Sequence, residues 1–112
     1  MNGKLTLGEN IADLAGLVIS HKAYHIALGG KPAPVLNGFT GDQRFYIAYG
    51  QFWRELWSDA LTRRFVLSDQ HSPSAYRVNG ATRNDVGWYA AFPQIRPGDA
   101  YYLAPGERVT LW

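Results

Sequence analysis

Apolar and polar residues along this chain recur mostly with the helical period, and only the tail Arg108 to Trp112 alternates, weakly enough to read as a short strand or extended segment. Leu7, Ile11, Leu14 and Val18 predict one stripe of a long first helix. It opens at Thr6, where Thr6-Leu7-Gly8-Glu9 has the form of a capping box, and ends near Leu28 before Gly29-Gly30. The opposite face carries Glu9, Asp13, Gly16, Ser20, Ala23 and Ala27, mostly small residues that allow another helix to come close. Lys22 is the only full charge after Asp13, and a helix so apolar all round is normally buried in something larger.

A second helix is predicted from Thr40, with Thr40-Gly41-Asp42-Gln43 as a further capping box. Phe45, Tyr49, Phe52 and Leu56 form its main stripe, and Tyr46, Trp53 and Trp57 a second one. A third helical stretch runs from about Ser58 to Leu67, followed by the turn-rich Ser68 to Pro73, with Pro73 suited to the first position of a helical turn. Arg77-Val78-Asn79-Gly80 reads as extended chain and turn. Asn84 is placed to cap a short helix from Asp85 to Phe92 that Pro93 stops. The class is therefore mainly α: a small helical domain with a long N-terminal helix, a second aromatic-rich helix, a short C-terminal helix and extended segments.

Composition narrows the function classes. Hydrophobic residues make up 46% of the 112 and charged residues 18%, as in a globular domain, and the absence of cysteine removes disulfides, thiolate zinc sites and cysteine nucleophiles. A net charge of +2 without a basic stripe argues against nucleic acid. No run approaches the roughly 20 apolar residues of a membrane helix, and no secretory leader pattern opens the chain. The compartment stays open, a bacterial periplasm, secretion and the cytoplasm all being compatible. Sixteen aromatic rings compete for a small interior, so some are expected at an interface or pocket.

Two constellations bear on chemistry. Glu9 and Asp13 stand one helical turn apart on one face. They suit the positive end of a helix dipole. The ordinary reading of such a pair is the dipole, and the sharper one is a zinc site in which one carboxylate ligates the ion and the other orients a histidine ligand. His21-Lys22-Ala23-Tyr24-His25 has the i, i+4 spacing of paired metal-binding imidazoles. Lys22, however, stands where a general base would be needed and cannot accept a proton while charged, so the pair is read as structural, with only adventitious metal binding.

Asn2-Gly3-Lys4-Leu5-Thr6-Leu7-Gly8-Glu9-Asn10-Ile11-Ala12-Asp13 strongly resembles the third-ligand helix of the neprilysin-like zinc metallopeptidases. Gly38-Phe39-Thr40-Gly41-Asp42-Gln43-Arg44-Phe45 resembles that family's helix entry, His71-Ser72-Pro73 with Arg77-Val78-Asn79-Gly80 its histidine and arginine segment, and Arg108-Val109-Thr110-Leu111-Trp112 its carboxyl terminus. The family usually has glycine where Ala15 stands. The resemblance implies that residues 1–112 are the C-terminal portion of a zincin-type catalytic domain, without the His-Glu-x-x-His helix that supplies two zinc ligands and the general base. It implies Glu9 as zinc ligand, Asp13 as the carboxylate orienting a histidine ligand, His71 as the oxyanion-stabilising histidine and Arg77 as the arginine holding a substrate carbonyl. Phe52 and Trp53 would line the pocket for the residue after the scissile bond. The implied function is zinc-dependent endopeptidase or oligopeptidase action on peptides, with these residues inactive in isolation. The alternatives are a stand-alone peptide-binding or self-associating module exposing Glu9, Asp13 and Trp53, and, resting on ring count alone, an aromatic carbohydrate-binding domain.

Overall fold

A computed structural model describes residues 1–111. It contains α1 (Gly3–Ala27), α2 (Gly41–Phe52), α3 (Asp59–Ser68), α4 (Ser74–Thr82), α5 (Val86–Ala91) and a single 3-10 turn at Pro105–Glu107. The helical class holds, and the described residues contain no strand, only an isolated bridge between Leu36 and Phe39. The tail expected to alternate is irregular through Leu111, and Trp112 lies outside the described residues.

The first helix starts a turn earlier than its pattern suggests. The Asn2 side chain accepts hydrogen bonds from the backbone N–H groups of Lys4 and Leu5 and so is the cap. Thr6 is freed from that duty. It is 1% exposed, and its hydroxyl bonds to the Asn2 carbonyl and accepts from Asn10 Nδ2. At α2 the expected reciprocal cap is present, Gln43 N–H to Thr40 Oγ1 at 3.2 Å and Thr40 N–H to Gln43 Oε1 at 3.0 Å. Gln43 Nε2 also donates to the Ala91 carbonyl, which ties the start of α2 to the end of α5. Ser58 caps α3 through the N–H of Leu61.

Two further expectations are corrected. Arg77-Val78-Asn79-Gly80 is helical and forms the middle of α4, because Arg77 pairs with α1 and Ala81 enters the core, and these contacts override the turn tendency of Asn-Gly. Asp85, not Asn84, caps α5, its Oδ1 accepting the Gly87 N–H. Asn84 instead donates to the Gly80 carbonyl and accepts from the Val109 N–H, joining the end of α4 to the tail.

α4 packs on α1, and α2 packs on α5 and α4. The core is small: Leu17, Tyr46, Ala81 and Ala91, with Phe45, Tyr49, Trp88 and Phe92 against it. The face α1 turns inward carries Thr6, Asp13, Leu14, Leu17 and His21, whereas Leu7 and Ile11 of the expected stripe are exposed, as are Gly16, Ser20, Ala23 and Ala27 opposite. The chain exposes 7764 Å², against about 6,200 Å² for a folded monomer of this mass. Much apolar surface of α1 and of Phe52, Leu56 and Leu67 thus faces solvent.

Gly87 sets how closely α1, α2 and α5 approach. A Cβ there would collide with Tyr46 Oη and lie 2.9 Å from both Cε1 and Nδ1 of His21. Tyr46 cannot retreat easily, being buried and donating its hydroxyl proton to Asp85 Oδ2 at 2.7 Å. Gly87→Ala is expected to cost about 1–3 kcal/mol by overpacking, read as a lower urea midpoint at unchanged slope; an unaltered midpoint would show that this contact yields freely.

Candidate functional site

One side of α1 and the start of α4 gather four of the six singled-out side chains. Asp13 and Arg77, 64 positions apart, form a two-pronged pair: Arg77 Nε donates to Asp13 Oδ2 at 2.6 Å and Nη2 to Oδ1 at 2.7 Å. Both are largely shielded, with side chains 10% and 14% exposed. The fork geometry matches a carboxylate on both prongs, and the bonds to Asp13 raise the already high pKa of Arg77 further. The guanidinium also lies over the Trp53 ring, 4.1 Å from its centroid.

One turn before Asp13, Glu9 Oε2 lies 3.3 Å from His71 Nε2 and 3.9 Å from Arg77 Nη2. His71 is aimed from both sides. Its Nδ1 is 2.8 Å from Asp69 Oδ1, and its backbone N–H donates to the same oxygen at 2.7 Å. The loop carrying it is pinned to α1 through Ser72, whose buried hydroxyl donates to Asn10 Oδ1, while Asn10 Nδ2 donates to Thr6. The run Thr6-Asn10-Ser72 therefore sets the distance between His71 and Glu9. Nothing in the sequence patterning pointed to Asn10 and Ser72, whose bond joins α1 to the loop before α4 across 62 positions, or to Asp69, two residues before His71 in that loop.

The hydrogen bonds from His71 hold the Asp69 carboxyl below the usual carboxylate range. A depressed folded-state pKa adds stability that is complete above the ordinary Asp value and disappears as pH falls through the folded value. On acidification below pH 4, His71 is therefore expected to lose its anchor, with faster amide exchange at His71 and Ser72. Asp69→Asn should show that looseness already at neutral pH; equal protection in variant and parent would count against the anchor.

Phe52 and Trp53 end α2 with rings in a T-shaped contact at 5.3 Å. Trp53 is half-buried, beside the Arg77 guanidinium and along a 210 Å³ hollow that Asp13, Gly16, Ser20, Phe45 and Tyr49 also line. Phe52 points away and is 78% exposed. Tyr49 Oη and Trp53 Nε1 are buried without hydrogen-bond partners among the described residues. Burial, with the Asp13 carboxylate nearby, pushes the Tyr49 phenol up to about 12.

Far along α1, His21 and His25 meet Asp42 of α2; each offers one ligand atom, all three within 4.8 Å of one another. The sequence pattern paired the two imidazoles but supplied no third partner, because Asp42 arrives from the first turn of another helix.

No helix among the described residues is long and apolar enough to cross a membrane. Residues 1–109 match the model of peptidase family M13. The chain is 44% identical to a zinc metalloprotease of Mycobacterium tuberculosis solved in an open state and with an inhibitor, with a TM-score of 0.93 over 98% of this chain and 17% of that one. It is 40% identical over 88 residues to neprilysin-11 of Caenorhabditis elegans, 75% of this chain and 10% of that protein. It is 38% identical over its full length to mouse membrane metallo-endopeptidase-like 1, spanning 15% of that relative. The chain belongs to peptidase family M13.

Proposed function

We propose that these residues form the C-terminal part of the catalytic domain of a zinc-dependent peptidase that cleaves peptide bonds. The observation that carries the reading is the convergence of Glu9, Asp13, His71 and Arg77 from α1, the loop before α4, and α4. The donor chemistry fits zinc only in part. At that end the chain offers one half-exposed carboxylate ligand, Glu9, where a catalytic site takes three protein ligands and keeps a fourth position open. Two imidazoles must come from outside these residues. When bound, zinc supplies a Lewis acid for the scissile carbonyl and lowers the pKa of a water molecule.

The chain's own residues have distinct tasks in this reading. Asp13, held on both oxygens by Arg77, is a fixed carboxylate one turn from Glu9, suited to orienting an incoming imidazole. His71, gripped through Nδ1 by Asp69, presents Nε2 beside Glu9. In its doubly protonated form it donates where negative charge develops on the substrate carbonyl oxygen. Arg77 keeps a guanidinium in that neighbourhood for a substrate carbonyl. Trp53 gives one wall of an apolar subsite, and the Phe52 ring, in T-shaped contact with it, lies at the subsite's solvent edge. The exposed apolar faces of α1 are where the remaining catalytic domain packs.

The test is transplantation. The 112 residues replace the matching stretch of the M. tuberculosis metalloprotease, and the chimera is expected to hydrolyse a peptide substrate in a chelator-sensitive way. The chain alone should show no turnover with or without added zinc. A folded, zinc-loaded chimera without activity, or chelator-sensitive turnover by the chain alone, would overturn the reading.

A further inference from the structure

The cluster at the far end of α1 stands apart from the residues just assigned. Glu9 and His21 are twelve positions apart on one continuous helix, about 18 Å along its axis, so no single ion serves both ends. His21 Nε2, His25 Nε2 and Asp42 Oδ1 form a triangle with edges of 3.3, 3.0 and 2.8 Å. Ligand atoms bound tetrahedrally to zinc at about 2.0–2.1 Å lie about 3.3–3.4 Å apart. The edges thus need to open by at most about half an ångström to hold such an ion.

Proton bookkeeping points the same way. Tyr46 gives its hydroxyl proton to Asp85 Oδ2 at 2.7 Å, so its oxygen is left to accept from His21 Nδ1 at 3.2 Å. In its neutral form His21 then carries its proton on Nδ1 and faces the Asp42 carboxylate oxygen with a bare Nε2 lone pair, acceptor against acceptor. His25 Nε2–H can satisfy only part of this, whereas one cation satisfies all three. A metal-ligating histidine typically has its other ring nitrogen held by such a partner.

The ligands are also built in. Tyr46 and Asp85 are buried, and the absence of a side chain at Gly87 lets the Tyr46–His21 pair sit against α5. Asp42 is set by the reciprocal cap of α2, and a Cβ at neighbouring Gly41 would collide with Tyr24 and Ala33. His25 and Asp42 remain open to solvent, leaving a route in and a fourth position for water. Imidazole nitrogens select a first-row transition cation over calcium or magnesium.

We propose that His21, His25 and Asp42 form a separate binding site for a zinc-class divalent cation, which clamps the last turns of α1 to the first turn of α2 and closes the intervening loop. This holds whether or not the peptidase reading does. The experiment titrates the chelator-stripped 112-residue chain with Zn²⁺ by calorimetry and with Co²⁺ by visible absorption, with folding checked by circular dichroism.

One ion per chain is expected, with the intense Co²⁺ bands of a tetrahedral site. His25→Ala and Asp42→Asn should each weaken affinity at least tenfold. Tyr46→Phe, which touches no metal, should weaken it by about 10–100-fold through loss of the His21 partner. Glu9→Ala should leave it unchanged. An unaltered affinity in Asp42→Asn would reduce the site to an ordinary histidine pair and overturn the proposal, as would loss of binding in Glu9→Ala. Should a variant fail to fold, the unmutated chain still decides: one equivalent of Zn²⁺ must shift the imidazole resonances of His21 and His25, and unmoved resonances would refute the site.

Discussion

Glu9→Ala in the transplanted enzyme is expected to lower kcat/KM at least a thousandfold, equivalent to about 4 kcal/mol of transition-state stabilisation, together with loss of the zinc ion at the Glu9 end of α1 and of that ion alone. Glu9 is half-exposed, and among the described residues its ion-pair partners are His71 and Arg77, so removing it leaves the fold nearly untouched. The loss should therefore appear in metal content and rate and be absent from the thermal midpoint. His71→Ala should do the reverse of half of this: zinc content stays, and the rate falls because a donor to developing charge is gone. A Glu9→Ala enzyme with full zinc and full rate would remove Glu9 from the metal's ligands.

Arg77→Ala is expected to be the most damaging single change to stability. It leaves the Asp13 carboxylate uncompensated in a site only 10% exposed, beside Trp53 and the buried Tyr49 hydroxyl. Breaking one partner of a buried pair costs about 3–5 kcal/mol, a large share of the 5–15 kcal/mol that holds a typical domain folded. The stacking of the guanidinium on Trp53 is lost as well, about 1 kcal/mol more. Urea unfolding followed by tryptophan fluorescence measures this. Replacing both partners, Arg77→Met with Asp13→Leu, should recover much of the loss, because no orphaned charge remains. A penalty below 1 kcal/mol for Arg77→Ala alone would mean that water reaches the pair freely.

Part of this architecture was legible before any coordinates. The cap of α2 is reciprocal and local, so Thr40 and Gln43 announce it within four residues. Ser58 before α3 and the double glycine after α1 are likewise short-range signals. Glu9 and Asp13 share a face by helical geometry alone, and the motif resemblance singled out His71 and Arg77. In contrast, Arg77-Val78-Asn79-Gly80 reads locally as a turn and becomes helix only because Arg77 and Ala81 find partners on other elements.

The residues therefore determined by themselves where α2 and α3 begin, which side chains share a face, and the family to which the motifs point, since each depends on contacts a few positions apart. Only the tertiary structure decided which face of α1 turns inward, that Asp13 is clasped by Arg77 across 64 residues, and that Asp42 joins His21 and His25. The reason is physical: helical periodicity is a property of one segment, whereas the choice of partner depends on how closely distant helices can approach, and that is set by details such as the missing side chain at Gly87.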